Sequence, residues 1–264
     1  MMKLFFQIIA VVALFFGTWF VLSRVDWLKI FKVEQASKKT EEKLGNLFWE
    51  VFSQSEKEIH NEKITLPVDS ILTSICNANG IDRKEIKLHV IKSDEINAFA
   101  FPNKHLVVFT NLVADCQNEA ELAGVMAHEL AHIQKHHVMK KLIKEVGLSA
   151  LISIASGGSS EIIRQLAKTI SSTAYDRSLE SEADLKAIDY LIEAHINPIP
   201  FADFLSRLGN DEGDKPNALT WISTHPDSKA RAEKIIEYAA GKKQEHEPVL
   251  TKETWDKLKD EVKE

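Results

Sequence analysis

The longest apolar stretch in the chain is Leu4 to Leu22, "LFFQIIAVVALFFGTWFVL", an uncharged run of 19 residues. At about 1.5 Å of rise per residue, a helix of that length covers roughly the 30 Å hydrocarbon thickness of a bilayer. Residues 1–23 therefore read as an N-terminal transmembrane anchor. A signal peptide is the competing reading, since Lys3 gives a basic start and Ser23 is small enough for a cleavage position. Signal cores ordinarily run about 7 to 15 apolar residues, and Trp19 and Trp27 suit interfacial anchors, so the uncleaved form is favoured. Arg24, Lys29 and Lys32 follow the run while only Lys3 precedes it. Taken alone, the positive-inside bias places the body of the chain in the cytoplasm.

Beyond the anchor the period becomes helical. Within a juxtamembrane segment, 24–59, Leu44, Leu47, Phe48, Val51 and Phe52 recur at helical spacing and predict an amphipathic helix over 34–58. Pro67 opens a second helix, which Asn79-Gly80 ends. "IKLHVIK" (86–92) alternates, and "NAFAFPNKHLVVFTN" (97–111) predicts strand, turn and strand. Asn118 caps the next helix, with Glu121 three residues on, and the pattern continues to about Glu145. Residues 146–160 are apolar and small but too short to span a bilayer, which fits a buried helix or a flap. Helical patterns follow over 161–195, 200–209 and 227–240. The charged C-terminal tail, 241–264, holds Trp255, Leu258 and Val262 at the spacing of one short helix. The predicted class is α+β, mainly helical, with a small antiparallel sheet.

Composition narrows the partners. A net charge of −6 leaves no basic surplus for a phosphate backbone, so nucleic acid is excluded as a partner. Cys76 and Cys116 are too few for a disulfide framework and too far apart for a CxxC knuckle. They read as two buried thiols, with pairing in an oxidising compartment as the other arrangement open to them.

"HELAH" (128–132) lies inside the capped helix. Residues four apart share a helix face, so His128 and His132 can direct ring nitrogens at one ion, with Glu129 in reach of a water on it. That arrangement suits metal-assisted hydrolysis. The motif alone is short enough to arise by chance, but its setting, "LAGVMAHELAHI", is apolar, and ionisable groups on a buried helix need partners or a metal. A third ligand comes from "YDRSLESEADLKAIDYL" (175–191), where Glu180 and Asp184 share a face. One can bind the metal and the other can accept the free N–H of a ligand histidine. Glu182, two residues from Glu180, points elsewhere.

HELAH, then "DRSLESEAD", then "THPDSKAR" (224–231) resembles the HtpX and BepA family of gluzincin zinc metallopeptidases, which includes the CAAX prenyl endopeptidases and Oma-type proteases. The resemblance covers residues 60–240 and implies a zincin-type metallopeptidase domain there, with the sheet beside the HExxH helix. It implies one Zn2+ per chain, held by His128, His132 and Glu180, with Glu129 as general base and Asp184 orienting a ligand. It places His225 near the metal as a fourth ligand or a stabiliser of the tetrahedral intermediate. Arg177 and Arg231 match family arginines with a structural or oxyanion-side role. Asn97, Ala98, Phe99 and Ala100 match the strand that pairs with extended polypeptide substrate.

The resemblance further implies that misfolded or misassembled envelope proteins are the substrates. It also places the domain outside the cytoplasm, against the charge count. Only one span is long enough for a membrane, unlike the multi-span members. No helical-repeat array follows the domain, so a substrate-presenting adaptor is missing or lies on another chain. The alternative class is a zinc-binding, chaperone-like module, whose signature would be loss of Glu129. His136, His137, Lys140 and Lys141 read as a basic helix end.

Overall fold

The computed structural model describes residues 33–210, 219–242 and 245–263. The predicted anchor, 1–23, lies outside them, as does most of the polar loop before residue 219. Among the described residues no helix is long and apolar enough to cross a membrane. Two compact units divide the chain, 1–40 and 41–264, and the second contains the sheet and the HELAH helix.

Helix α1 (Val33–Ser53) carries the predicted apolar stripe, and its Leu44 and Phe48 are fully buried. It ends five residues before the expected 58, because Lys57 and Glu58 form a short strand, β1, against the second strand. Helix α2 (Glu62–Ala78) starts ahead of Pro67, since Asn61 accepts the Lys63 N–H at 3.1 Å and so caps the helix earlier. Pro67 then sits in the second turn, where its fixed φ is helical and one backbone bond is lost. Gly80, at φ +64, ends the helix where Asn79-Gly80 predicts.

Strands β2 (Lys87–Lys92), β3 (Ala98–Phe101) and β4 (His105–Phe109) join β1 in the order β1-β2-β4-β3. The β3–β4 hairpin is antiparallel, turning through Asn103 and Lys104 in the left-handed region. The sheet as a whole is mixed rather than purely antiparallel. β4 inserts between β2 and β3, so it runs parallel to β2, Leu88 beside Leu106 and Val90 beside Val108.

After the short α3 (Thr110–Asp115) comes α4 (Glu119–Gln134), the helix that carries HELAH. Asn118 accepts the Glu121 N–H at 3.0 Å, and Glu121 accepts the Gln117 N–H at 2.9 Å, satisfying two otherwise open donors. Every residue from Glu121 to Ile133 is buried. A helix buried all round is a core helix, and α4 is packed against β3, β4, α2, α8 (Arg177–Glu193) and α9 (Ile199–Asn210). Gly124 permits the close approach of α9: a Cβ there would stand 2.3 Å from Cβ of Phe201.

The helical run expected from Asn118 to Glu145 is broken. Lys135 ends α4, His136 adopts a left-handed φ of 54°, and α5 (His137–Val146) leaves in a new direction. Segment 146–160 forms α6 (Leu148–Gly157), in which only Leu151 is buried, so it is not the buried helix its composition suggested. The run over 161–195 is likewise two helices, α7 (Ser160–Ser172) and α8. Between them the Tyr175 N–H bonds to the Thr224 carbonyl at 3.2 Å, and this tie replaces helix continuation. After α9 follow α10 (Leu219–Thr224) and α11 (Ser228–Ala240). The tail helix α12 (Lys252–Glu261) docks on α2, burying Trp255 and Leu258. Glu119 fixes the approach by accepting the Val249 and Leu250 amides at 2.7 and 2.6 Å.

Candidate metal centre

Helices α4 and α8 lie side by side, and their facing turns bring His128, His132, Glu180 and Asp184 together. The short helix α10 ends just before His225, which adds its ring from a third direction. His128 Nε2 is 3.0 Å from His132 Nε2 and 3.3 Å from His225 Nδ1. Glu180 reaches His132 Nε2 at 3.3 Å, His128 Nε2 at 3.6 Å and His225 Nδ1 at 3.2 Å. One donor atom from each of His128, His132, Glu180 and His225 falls within 4.8 Å of the others, and all four residues are buried.

The partners of the ring nitrogens explain why this group suits a cation. His128 Nδ1 lies 3.0 Å from Asp184 Oδ1, so the ring keeps its proton on Nδ1 and turns a lone pair inward at Nε2. His132 likewise presents Nε2 to the centre. Lone pairs and a carboxylate converging in a buried space repel one another unless a positive ion lies between them. Imidazole nitrogen and carboxylate oxygen together are a donor set that zinc accepts.

The surrounding charges are arranged in the same sense. Burial lowers His128 to about 3 despite the nearby Asp184 carboxylate, and it lowers His132 and His225 as well, favouring the uncharged rings whose lone pairs a metal can take. Burial alone would raise Glu180 and Asp184. His225 and Arg231 outweigh it at Glu180, which falls well below the usual carboxylate range. Arg231 and its hydrogen bonds hold Asp184 at about 2. Arg231 is itself buried and donates to Asp184 through Nε (2.8 Å) and Nη2 (2.7 Å), while Nη1 lies 2.7 Å from Glu180 Oε2. Its Nη1 also reaches the His225 carbonyl at 3.3 Å. One guanidinium thus braces both carboxylates and the backbone that carries His225.

Glu129 stands apart from the four. It is fully buried, and burial followed by the Glu180 charge raises it well above the ordinary carboxylate range, partly countered by Arg231 and the Ala100 amide. His225 Nε2 lies 3.4 Å from Glu129 Oε1. The ring of His225 therefore shows one nitrogen to the donor group and the other to the candidate base. Trp221 stacks on that ring at 4.1 Å between centroids, and its own backbone carbonyl accepts the His225 N–H at 2.8 Å.

The remaining expected residues fall in different places. Arg177 is exposed and pairs with Asp227 (Nε to Oδ2, 2.6 Å), tying the start of α8 to the start of α11. Asn97, Ala98, Phe99 and Ala100 are buried on or beside β3, the last strand in the sheet order, with α7 lying against it. Glu182 points away from the donor group, as its spacing implies, towards Lys135 and His137. Cys76 and Cys116 are free buried thiols.

Residues the sequence did not single out also reach the centre. The Tyr175 ring packs on His132 at 4.1 Å, and Lys141 lies over Tyr175 with its ammonium 3.3 Å from the Ile170 carbonyl. His137 and Lys141 are buried against α7, α8 and the α7–α8 link rather than forming an exposed basic helix end. No local signal marked the left-handed turn at His136 that sends them inward.

A capped core helix bearing two histidines and a glutamate, a facing helix bearing a third ligand, and a sheet alongside make up the donor arrangement that metal-assisted hydrolysis needs. The model of "Peptidase family M48" matches residues 63–239, and the chain belongs to that family. It is 31% identical over 178 residues to the mitochondrial metalloendopeptidase OMA1 of Schizosaccharomyces pombe, covering 66% of this chain and 52% of that protein. The metalloprotease LoiP of Escherichia coli is 28% identical over 173 residues, 62% of this chain and 68% of LoiP. The beta-barrel assembly-enhancing protease of Escherichia coli is 25% identical over 200 residues, 70% of this chain and 41% of that protein.

Proposed function

We propose that this chain is a membrane-anchored endopeptidase that removes misfolded or misassembled envelope proteins, with its catalytic domain outside the cytoplasm. The observation that carries the hydrolytic part is the buried group His128, His132, Glu180 and His225, with Glu129 beside it. His128, His132 and Glu180 hold the zinc, Asp184 orients His128, and His225 offers an adjustable fourth position. Zinc held there would supply Lewis acidity, bringing the pKa of water from about 15.7 towards roughly 7. Glu129 accepts the proton of the attacking water. It then passes that proton to the leaving amine. His225 Nε2, 3.4 Å from Glu129, is placed to donate to the oxygen on which charge develops.

The anchoring rests on the uncharged run Leu4 to Leu22, and the substrate class rests on likeness to the beta-barrel assembly-enhancing protease. A polypeptide lies along β3 in this reading. Two experiments test the reading. A reporter fused to the C-terminus should be active only outside the cytoplasm, and cytoplasmic activity would overturn the orientation. In cells making Glu129→Gln in place of the native chain, misassembled envelope proteins should accumulate and co-purify with the variant. An unchanged envelope would rule out that substrate class.

A further inference from the structure

The buried imidazole of His137 has no part in the hydrolytic scheme, yet it touches a metal ligand. His136, at φ 54°, ends α4 and turns the first residue of α5 back under it. On an uninterrupted helix a residue five beyond His132 would point about 140° away around the axis. Instead His137 Nδ1 lies 3.1 Å from His132 Nδ1, with the ring planes at 77° and His137 fully buried. On its other side His137 Nε2 lies 3.3 Å from Glu182 Oε2, and Glu182 Oε1 lies 2.9 Å from Lys135 Nζ. A non-glycine residue in the left-handed region is uncommon and is kept where the surroundings require it.

The tautomers along this row are consistent in only one way. If His132 turns the lone pair of Nε2 towards the metal, its proton sits on Nδ1 and points at His137 Nδ1. His137 Nδ1 must then accept, which puts the His137 proton on Nε2, facing the Glu182 carboxylate. We propose that His137 is a positioning residue for the zinc site, fixing the tautomer and ring orientation of His132, and that Glu182 in turn fixes His137. The two ligand histidines are thus supported differently. His128 rests on the buried carboxylate of Asp184, whereas His132 rests on a neutral imidazole whose outer partner reaches the surface. The left-handed His136 supplies the turn that brings this support into place.

This role rests on His132 being a ligand, and the test separates the two. Zinc affinity of the full chain is measured by chelator competition for the native protein, His137→Leu, His137→Asn and Glu182→Ala, together with visible spectra of the Co2+-substituted forms. Leu fills similar volume without an acceptor, while Asn places an amide oxygen near the Nδ1 position. His137→Leu should bind zinc about 10 to 100-fold more weakly and shift the Co2+ bands. His137→Asn should restore most of both, and Glu182→Ala, a surface change that leaves the core intact, should lose several-fold in affinity. Native affinity and unshifted bands in His137→Leu would overturn the proposal. So would native affinity in Glu182→Ala, which remains readable if the buried variant fails to fold. A loss in His137→Leu that Asn does not restore marks packing rather than hydrogen bonding and also overturns it. A native chain that binds no zinc would overturn the ligand assignment instead.

Discussion

Replacing Asp184 with Asn keeps the shape of the side chain and removes one charge at the point where Arg231 and His128 converge. Both carboxylate oxygens accept from Arg231, at 2.8 and 2.7 Å, and one also faces His128 Nδ1 at 3.0 Å. An amide has one oxygen, so one N–H of the guanidinium must meet the Nδ2 hydrogens. Burial is outweighed by Arg231 in holding Asp184 at about 2 against an ordinary 3.8. That displacement corresponds to roughly 2 kcal/mol of stability at neutral pH. Leaving half of a buried ion pair typically costs about 3 to 5 kcal/mol, and Glu180 still pairs with Arg231, so the loss should lie near the lower value. The sign follows from the depressed pKa: this stability is present above about pH 4 and is lost as pH falls through about 2. Urea unfolding of the metal-free full chain should therefore show Asp184→Asn weaker by about 2 to 4 kcal/mol at pH 7, with the gap between the two proteins closing below about pH 4. A loss under about 1 kcal/mol, or a gap unchanged on acidification, would refute the bracing role given to the Arg231–Asp184 pair.

Other substitutions probe the packing around the site and the fourth ligand. Gly124→Ala puts a methyl 2.3 Å from Cβ of Phe201 and should destabilise by about 1 to 3 kcal/mol in thermal unfolding. An unchanged melting temperature would mean that α4 and α9 are not as close as described. Leu258→Ala empties a fully buried position on the tail helix and should cost about 2 to 5 kcal/mol, whereas a neutral result would show that α12 does not dock on α2. His225→Ala should lower peptide cleavage while leaving zinc bound, as measured by metal content after gel filtration. Loss of zinc would make His225 an essential ligand.

How far the sequence reached depends on whether each feature is local. His128 and His132 were legible because a four-residue spacing fixes two side chains on one helix face, and Glu180 with Asp184 follow the same geometry. The Asn118 cap was legible because its donor lies three residues away. His225 and Arg231 were found only through resemblance, since no periodicity links them to a helix about a hundred residues earlier. Strand direction escaped because pairing depends on which strand β4 enters beside, a tertiary matter. Breaks at His136 and at 173–176 also escaped, because neither carries glycine or proline and each is held by distant contacts. With the first break unseen, His137 reads as part of a basic helix end. The docked tail was half legible: Trp255 and Leu258 marked a helix face, but nothing local named α2 as its partner.

Zinc content and peptidase activity, measured side by side on the purified native chain and Glu129→Gln, test the central assignment most directly. Both proteins should hold about one zinc per chain. Only the native chain should cleave casein, and that cleavage should be abolished by a chelator and restored by added zinc. Equal cleavage by the two proteins, or cleavage by the native chain that survives removal of the metal, would contradict the assignment of Glu129 as base and zinc as the activating ion.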